Sequence, residues 1–339
     1  MAMLAAVALV LAGTAHAQPA NEALYLYRGA EREQRLADNA RREGVVVLYT
    51  SLAPSESGPL TQAFEKKHGI KVDLWRSNSE KVAQRAITEA RASRHQVDAV
   101  ETIGTDLEKL TREKLFAEFY SPHIADLLPA AIPAHRGWMP DRLSYLGVAY
   151  NTRLVRRDEL PRSYEGFLQP KWKGRVGLEA GDVVWLAGIV KHWGEARGMK
   201  FFNGLAQMRP DVRSGHTLLT QLVISGEVPV GLTVYSSSAE PGKRSGAPID
   251  WIAVQPVIAQ PLGIGLARRA PHPHAALLFA DFVLSPEGQA LFESLGRPPA
   301  SHKIATALGQ FDSVMMDPAA ELDDNARWEK VWKQLFLSK

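Results

Sequence analysis

Residues 45–76 read VVVLYTSLAPSESGPLTQAFEKKHGIKVDLWR. Val45–Tyr49 is an unbroken, β-branched apolar run of the kind buried on both faces of a sheet. Pro54-Ser55-Glu56-Ser57 supplies helix-start residues, and Leu60, Ala63 and Phe64 share one helical face. Gly69 then follows His68 as a stop. Ile70–Trp75 is a second strand, with Ile70, Val72 and Leu74 on one side. Strand, helix and strand joined by short connections imply a parallel sheet wrapped by helices.

The pattern continues outward. Ser79 is expected to cap a helix from Glu80 to about Arg94. Val97–Val100 is a third strand, and a helix should begin at Asp106. The stretch 127–140 holds three prolines and no clear period, so it reads as a connection. Tyr145–Tyr150 is strand-like and would cross into a second lobe. That lobe should hold strands at Arg175–Glu179 and Val230–Tyr235 and helices at Val184–Trp193 and Thr217–Ser225. Ile249–Val254 and Ile264–Leu266 would lead back. His274–Leu295 reads as a helix broken at Ser285-Pro286, with Phe279, Phe282, Val283, Leu291 and Phe292 in the core. Ala326–Leu337 is amphipathic, with Trp328, Val331, Trp332 and Leu335 on one face. The expected fold class is α/β and two-lobed. The first lobe takes residues 44–143 and 259–300, the second 144–258 and 301–339 with the C-terminal helices. Separate sheets should mark the lobes; one continuous sheet, or lobes that each use one unbroken stretch of chain, would refute this division.

Ahead of the lobes, Ala2–Ala12 is almost purely apolar, and Ala15-His16-Ala17 has the small-x-small form of a cleavage site, although no Lys or Arg precedes the run. Residues 1–17 therefore read as a signal peptide, followed by a polar segment at 18–43. Export to the periplasm is the expected destination. The run is too short to span a bilayer, which takes roughly 20 apolar residues.

The 339 residues are 45% hydrophobic and 23% charged, with 40 Lys plus Arg against 37 Asp plus Glu. This is a globular composition, and so slight a positive excess, without a basic run, gives no reason to expect nucleic acid as a partner. Cysteine is absent, which excludes disulfides, a thiolate nucleophile and a Cys-ligated zinc site. No G-x-S-x-G, S-x-x-K, H-E-x-x-H or phosphate-loop motif occurs, so an enzyme is not expected. Gly263-Ile264-Gly265 carries Arg268 where a dinucleotide fingerprint needs its third glycine, and packing in a returning strand is the better reading. His272-Pro273-His274 reads as a pair of turn residues rather than a metal site, because no acidic partner lies nearby in sequence.

The chain does supply polar residues where parallel strands end, which is where ligands of open α/β sheets bind. In the first lobe these are Ser51, Ser79 and Thr102. In the second they are Glu179 and Asp182, then Tyr235, Ser236 and Ser237. Trp185 would be either an apolar wall or helix core. Hydroxyls beside helix starts favour an anionic or polar group, whereas Glu179 and Asp182 favour a cationic or donating one. A small polar solute is the expected ligand, with no cofactor and no metal.

Several loose motifs in one order now make the sequence resemble a periplasmic solute-binding protein of an ABC importer, in the ferric-ion-binding-protein-like branch of the type 2 binding proteins. They are Val45–Ser51, Ala63–Val72, the helix opened by Ser79-Glu80, Pro170–Arg175, Ser225–Pro229 and Ser285–Gln289, and the likeness covers about 44–301. The resemblance implies a monomer whose two lobes close on a ligand by hinge motion and deliver it to an inner-membrane permease. It also implies where iron would be held: a histidine after the first strand, a glutamate after the third and a tyrosine pair in the second lobe. Those places hold Ala53, Ile103 and Ser236-Ser237 here, with Tyr235 one residue early. A hard-oxygen site would have to be rebuilt from Tyr235, Glu101, Glu179 and Asp182. An organic solute carrying a carboxylate or phosphonate-like group is therefore expected over ferric ion.

Overall fold

A computed structural model describes residues 21–306, 308 and 311–338; the expected signal peptide lies outside them. The segment at 18–43 is more than a polar lead-in. It carries α1 (Glu22–Tyr25) and α2 (Arg32–Glu43), and Tyr25, Leu36 and Ala40 are buried. The deciding stretch then folds as β1 (Val45–Thr50), α3 (Pro54–His68) and β2 (Lys71–Arg76). Gly69 closes α3 at a φ of 69°, in the left-handed region that favours glycine. β2 is an edge strand, so Leu74 is exposed while Val72 is buried.

In α4 (Ser79–Arg91) the cap is Asn78, whose side chain accepts the Lys81 N–H at 3.0 Å, so Ser79 is the first helical residue rather than the cap. β3 (Ala99–Ile103) runs directly into α5 (Gly104–Arg112), and the short β4 (Phe116–Ala117) follows. The proline-rich connection leads to β5 (Trp138–Asn151), longer than the crossing expected from sequence.

Beyond β5 come β6 (Val176–Glu179), α6 (Val183–Trp193), α7 (Glu195–Gln207), β7 (Asp211–Arg213), α8 (His216–Ser225) and β8 (Val230–Tyr235). Ser236 and Ser237, expected where a strand ends, open α9 (Ser236–Arg244) directly after Tyr235. β9 (Ile249–Ile252) and β10 (Val257–Ala267) lead back. α10 (Pro273–Leu284) and α11 (Pro286–Ser294) break at Ser285, which caps α11 by accepting the Gly288 N–H. The chain ends with β11 (Ser313–Met315) and α12 (Pro318–Trp332), whose last turn widens over Lys333–Leu337. No single described helix is long and apolar enough to cross a membrane.

The strand order is β2-β1-β3-β10-β5-β8-β6-β7, with β4 and β11 on β10 and β9 on β5. Hydrogen bonding thus runs unbroken from end to end, which corrects the expectation of separate sheets. The reason is the length of β5 and β10, 14 and 11 residues. Each contributes to both halves. Leu262–Leu266 of β10 pairs with β3, and Leu146–Tyr150 of β5 pairs with β8. Between them the sheet narrows to Leu143–Tyr145 against Ala259–Pro261, beside the edge pairing of β11.

Two apolar cores flank this waist. One gathers Leu48, Phe64, Phe279, Phe282 and Phe292; the other gathers Trp172, Trp185, Phe202, Trp328 and Trp332. Gly263 and Gly265 lie in β10, where a Cβ would come within 2.2 Å of the Met139 carbonyl oxygen and 2.6 Å of the Phe116 ring. Close packing of the strand therefore explains both.

The waist begins at a buried charge cluster. Arg142, 3% exposed, donates to Glu101 and, at 2.9 Å, to Asp141, while Glu101 also accepts the Thr50 hydroxyl. Asp141 is the extra residue of a bulge, since Arg142 pairs with Leu262 and Pro140 with Gly263. Two carboxylates share one guanidinium here. Burial pushes the Asp141 carboxyl up to about 8, with Arg142 opposing and Glu101 adding. A carboxyl raised above its unfolded value of 3.8 stabilises the fold fully only below that value. The contribution is lost as pH rises toward the folded value. Asp141→Asn cannot ionise, so its melting temperature relative to wild type should climb between about pH 4 and pH 8 and level off above. A pH-independent difference across that window would contradict a protonated Asp141.

Candidate functional site

A cavity of about 480 Å³ lies where the two halves face each other. Ser79 and Ile103 line it from one half, Gln260 from β10, and Asp182, His216 and Tyr235 from the other half. α12 closes one side with Glu321, Asn325 and Glu329. That helix touches both halves: Asp323 pairs with Arg112 of α5 at 2.6 Å, and Arg327 with Glu195 of α7 at 2.5 Å.

Five helices start on this cavity. Ser79 and His216 are the first residues of α4 and α8, and Ile103, Asp182 and Tyr235 immediately precede α5, α6 and α9. Only α4 has a side-chain cap; the residues before α5, α6, α8 and α9 make no such bond. Their first-turn N–H groups and the positive ends of their dipoles are directed at one place. The strands bring them there, because β3, β6, β7 and β8 each end just before one of these helices.

Opposing charge stands beside them. Glu179 accepts the N–H groups of Gly181 and, at 2.8 Å, Gly215, which ties together the entries to α6 and α8. Asp182 Oδ1 sits 3.3 Å from His216 Nε2, and the His216 ring lies 4.1 Å from the Tyr235 ring. Tyr235 donates its hydroxyl to Gln260 at 3.1 Å. Asp182 Oδ2 and His216 Nδ1 have no protein partner among the described residues. Ligand atoms of Glu179, Asp182 and His216 lie within 4.8 Å of one another, a separation a metal ion could bridge.

Burial is the largest influence on His216 and works to lower it, but the charge and hydrogen bond of Asp182 and the charge of Glu179 together outweigh burial and hold the imidazole above its usual value. Burial, then Asp182 and Glu321, drives the Tyr235 phenol well above 10. Glu321 is raised to about 7, chiefly by burial, with the charge of Asp106 adding and that of Lys109 opposing. The cavity therefore offers uncapped helix starts beside two carboxylate oxygens, Asp182 Oδ2 and Glu321 Oε2, that have no protein partner among the described residues.

Of the residues expected from sequence, Ser79, Asp182 and Tyr235 line the cavity, and Glu179 braces it from behind. Ser51 and Thr102 hydrogen-bond to each other at 3.0 Å and do not line it. Ser236 and Ser237 are buried in the first turn of α9, and Ser237 accepts a bond from Arg297, which also grips Glu56 of α3. For Trp185 the structure selects helix core over a place among the ligand-binding residues. The side chain is fully buried, with its ring centre 5.1 Å from that of Phe202 and 5.3 Å from that of Tyr164, and is core rather than cavity wall. Glu101 stays with Arg142, away from Glu179, Asp182 and Tyr235, so the rebuilt iron site loses that member. His272 and His274 do have acidic partners, Asp98 and Glu43, which are distant in sequence.

His216, Gln260 and Glu321 were not expected. For His216 a local signal exists, since Gly215 precedes an apolar helical run. Glu321 has none, because only the packing of α12 carries it to the cavity.

A family model described as bacterial extracellular solute-binding protein matches residues 60–321. The chain is 23% identical to Iron uptake protein A1 of Synechocystis, over 94% of this chain and 96% of that protein. It is 22% identical to the Fe(3+)-binding periplasmic protein of Serratia marcescens, over 85% and 86%. Iron-bound HitA from Pseudomonas aeruginosa superposes with a TM-score of 0.75 at 20% identity, covering 85% of this chain and 99% of HitA. AfuA from Actinobacillus pleuropneumoniae, with fructose-6-phosphate bound, gives 0.72 at 20% identity, over 88% and 100%.

Proposed function

The chain belongs to the bacterial extracellular solute-binding protein family and has the fold of the type 2 periplasmic binding proteins, and on that premise we propose what its cavity takes. As the substrate-binding component of an ABC importer it captures a small polar organic solute with an anionic group and a cationic or hydrogen-bond-donating group. It acts as a monomer in the periplasm and hands the solute to the inner-membrane permease. The carrying observation is the convergence of five helix starts on one cavity, four without side-chain caps. Such N–H groups suit a carboxylate, phosphate or phosphonate. Asp182 and Glu321 on the facing walls suit an ammonium or hydroxyl on the same molecule.

Although one sheet runs through both, the two separate cores support two lobes, divided as 44–143 with 259–300 and 144–258 with 301–339, that bend at the two-strand waist. Ser51, Thr102, Ser236 and Ser237 then frame the cleft behind the residues that touch solute.

A second reading has one observation in its favour. Glu179, Asp182 and His216 could hold a metal ion, with Tyr235 beside them. Against iron at the place the resemblance implies, Ala53, Ile103, Ser236 and Ser237 offer no anionic side chain.

Metal-stripped protein should be screened by thermal shift against amino acids, phosphate esters, phosphonates and metal ions. A zwitterionic or hydroxylated anion should raise the melting temperature in proportion to the logarithm of its concentration. Asp182→Asn should then weaken that solute by about tenfold or more in calorimetry. Ferric ion, alone and with a synergistic anion, is the opposing arm. A red tyrosinate-to-iron band that disappears in Tyr235→Phe would overturn the organic-solute reading.

A further inference from the structure

A second concavity, about 490 Å³, lies on the first half at the opposite end of β3 from the solute cavity. Val97 stands just before β3, whereas Ile103 at the strand's far end lines the solute cavity. The two therefore cannot share one small ligand. The floor is apolar, made by Ala86, Ala90, Val97, Leu115 and Ala267, and the rim is basic.

Rim cations fall into two groups. Arg91 forks onto Glu113 at 2.7 and 3.2 Å, and Arg268 is taken up by Glu22 and by the Phe116 carbonyl. Arg94, Lys114 and Arg269 pair with no carboxylate among the described residues. Arg269 instead donates to His95 at 3.3 Å, and burial and then this guanidinium hold the imidazole below its usual value. His95 Nε2 accepts this bond, so the imidazole holds one Arg269 donor at the groove while the guanidinium keeps others free of carboxylates among the described residues.

The plainer account is that cations gather at the C-terminal ends of α4 and α5, where the helix dipoles favour them. That accounts for Arg91, Arg94 and Lys114. It does not account for Arg269, which arrives on the loop after β10. Nor does it account for the hollow apolar floor.

We propose that this groove is a second binding site, for a small organic anion with an apolar body, such as an aromatic phosphate or carboxylate. The anionic head sits between Arg94, Lys114 and Arg269, and the apolar body covers the alanine and valine floor. Charge-assisted bonds from three donors supply attraction, and the floor supplies preference for an organic over an inorganic anion.

Phenyl phosphate is the probe, and the His95 ring resonance, assigned with His95→Gln, is the reporter. In the full chain, phenyl phosphate should shift that resonance saturably, with the binding weakened by added salt. Arg94→Gln/Arg269→Gln should reduce the affinity by about tenfold or more. Asp182→Asn, in the distant cavity, should leave it unchanged. The proposal is overturned by the absence of a saturable shift up to about 10 mM probe. Equal affinity in the double variant would also overturn it. Inorganic phosphate binding as tightly as phenyl phosphate would remove the apolar body from the assignment.

Discussion

Arg142→Met should destabilise the protein by about 3–5 kcal/mol, one of the largest losses expected from any single substitution here. The guanidinium is buried, and its removal leaves Glu101, itself fully buried, with the Thr50 hydroxyl as its side-chain partner. Methionine approximates the volume but supplies neither charge nor donor. The loss is therefore a stranded carboxylate rather than a void. Adding Glu101→Gln removes the stranded charge, and the double variant should recover most of the stability. Urea midpoints at constant slope measure both. A single variant within about 1 kcal/mol of wild type would contradict the buried charge pair as a source of stability.

Trp185→Ala should cost a further about 3–5 kcal/mol by a different route, a cavity in the second core. The ring meets Tyr164, Phe201 and Phe202 edge-on, at centroid distances of 5.3, 6.0 and 5.1 Å. Edge-on geometry of this kind is favourable beyond the area buried, and a methyl group cannot replace it. Ser79→Ala, on the wall of the solute cavity, should shift stability by no more than about 0.5 kcal/mol. If Trp185→Ala behaved like Ser79→Ala, the tryptophan would belong to the wall after all.

Elements whose signals are local could be read from the sequence. Val45–Thr50 declares itself by β-branching, α3 by its start residues and Gly69, and the α10–α11 break by Ser285-Pro286. β10 was legible only in fragments, because Pro261, Gly263 and Gly265 dilute its strand character. Its state is fixed by pairing on both sides, which no local window contains. α9 hid behind three serines and Pro241, residues that compete with helix formation. The site divides the same way. Asp182 and Tyr235 stand where strands give way to helices, a position sequence can mark. His216 depends on the three-residue β7, and Glu321 on a helix brought from the far end of the chain.

The place of β10 also sets an order of events during synthesis. This strand lies between β3 and β5, at the middle of the sheet, yet it is complete only when residue 267 of 339 has been made. Until then β3 and β5 have no strand to join them, and the two halves of the sheet stay unconnected. Pairings this distant along the chain form slowly. A nascent chain lacking its central strand stays open through most of translation, and that is the condition in which a polypeptide can be threaded across a membrane before it folds on the other side.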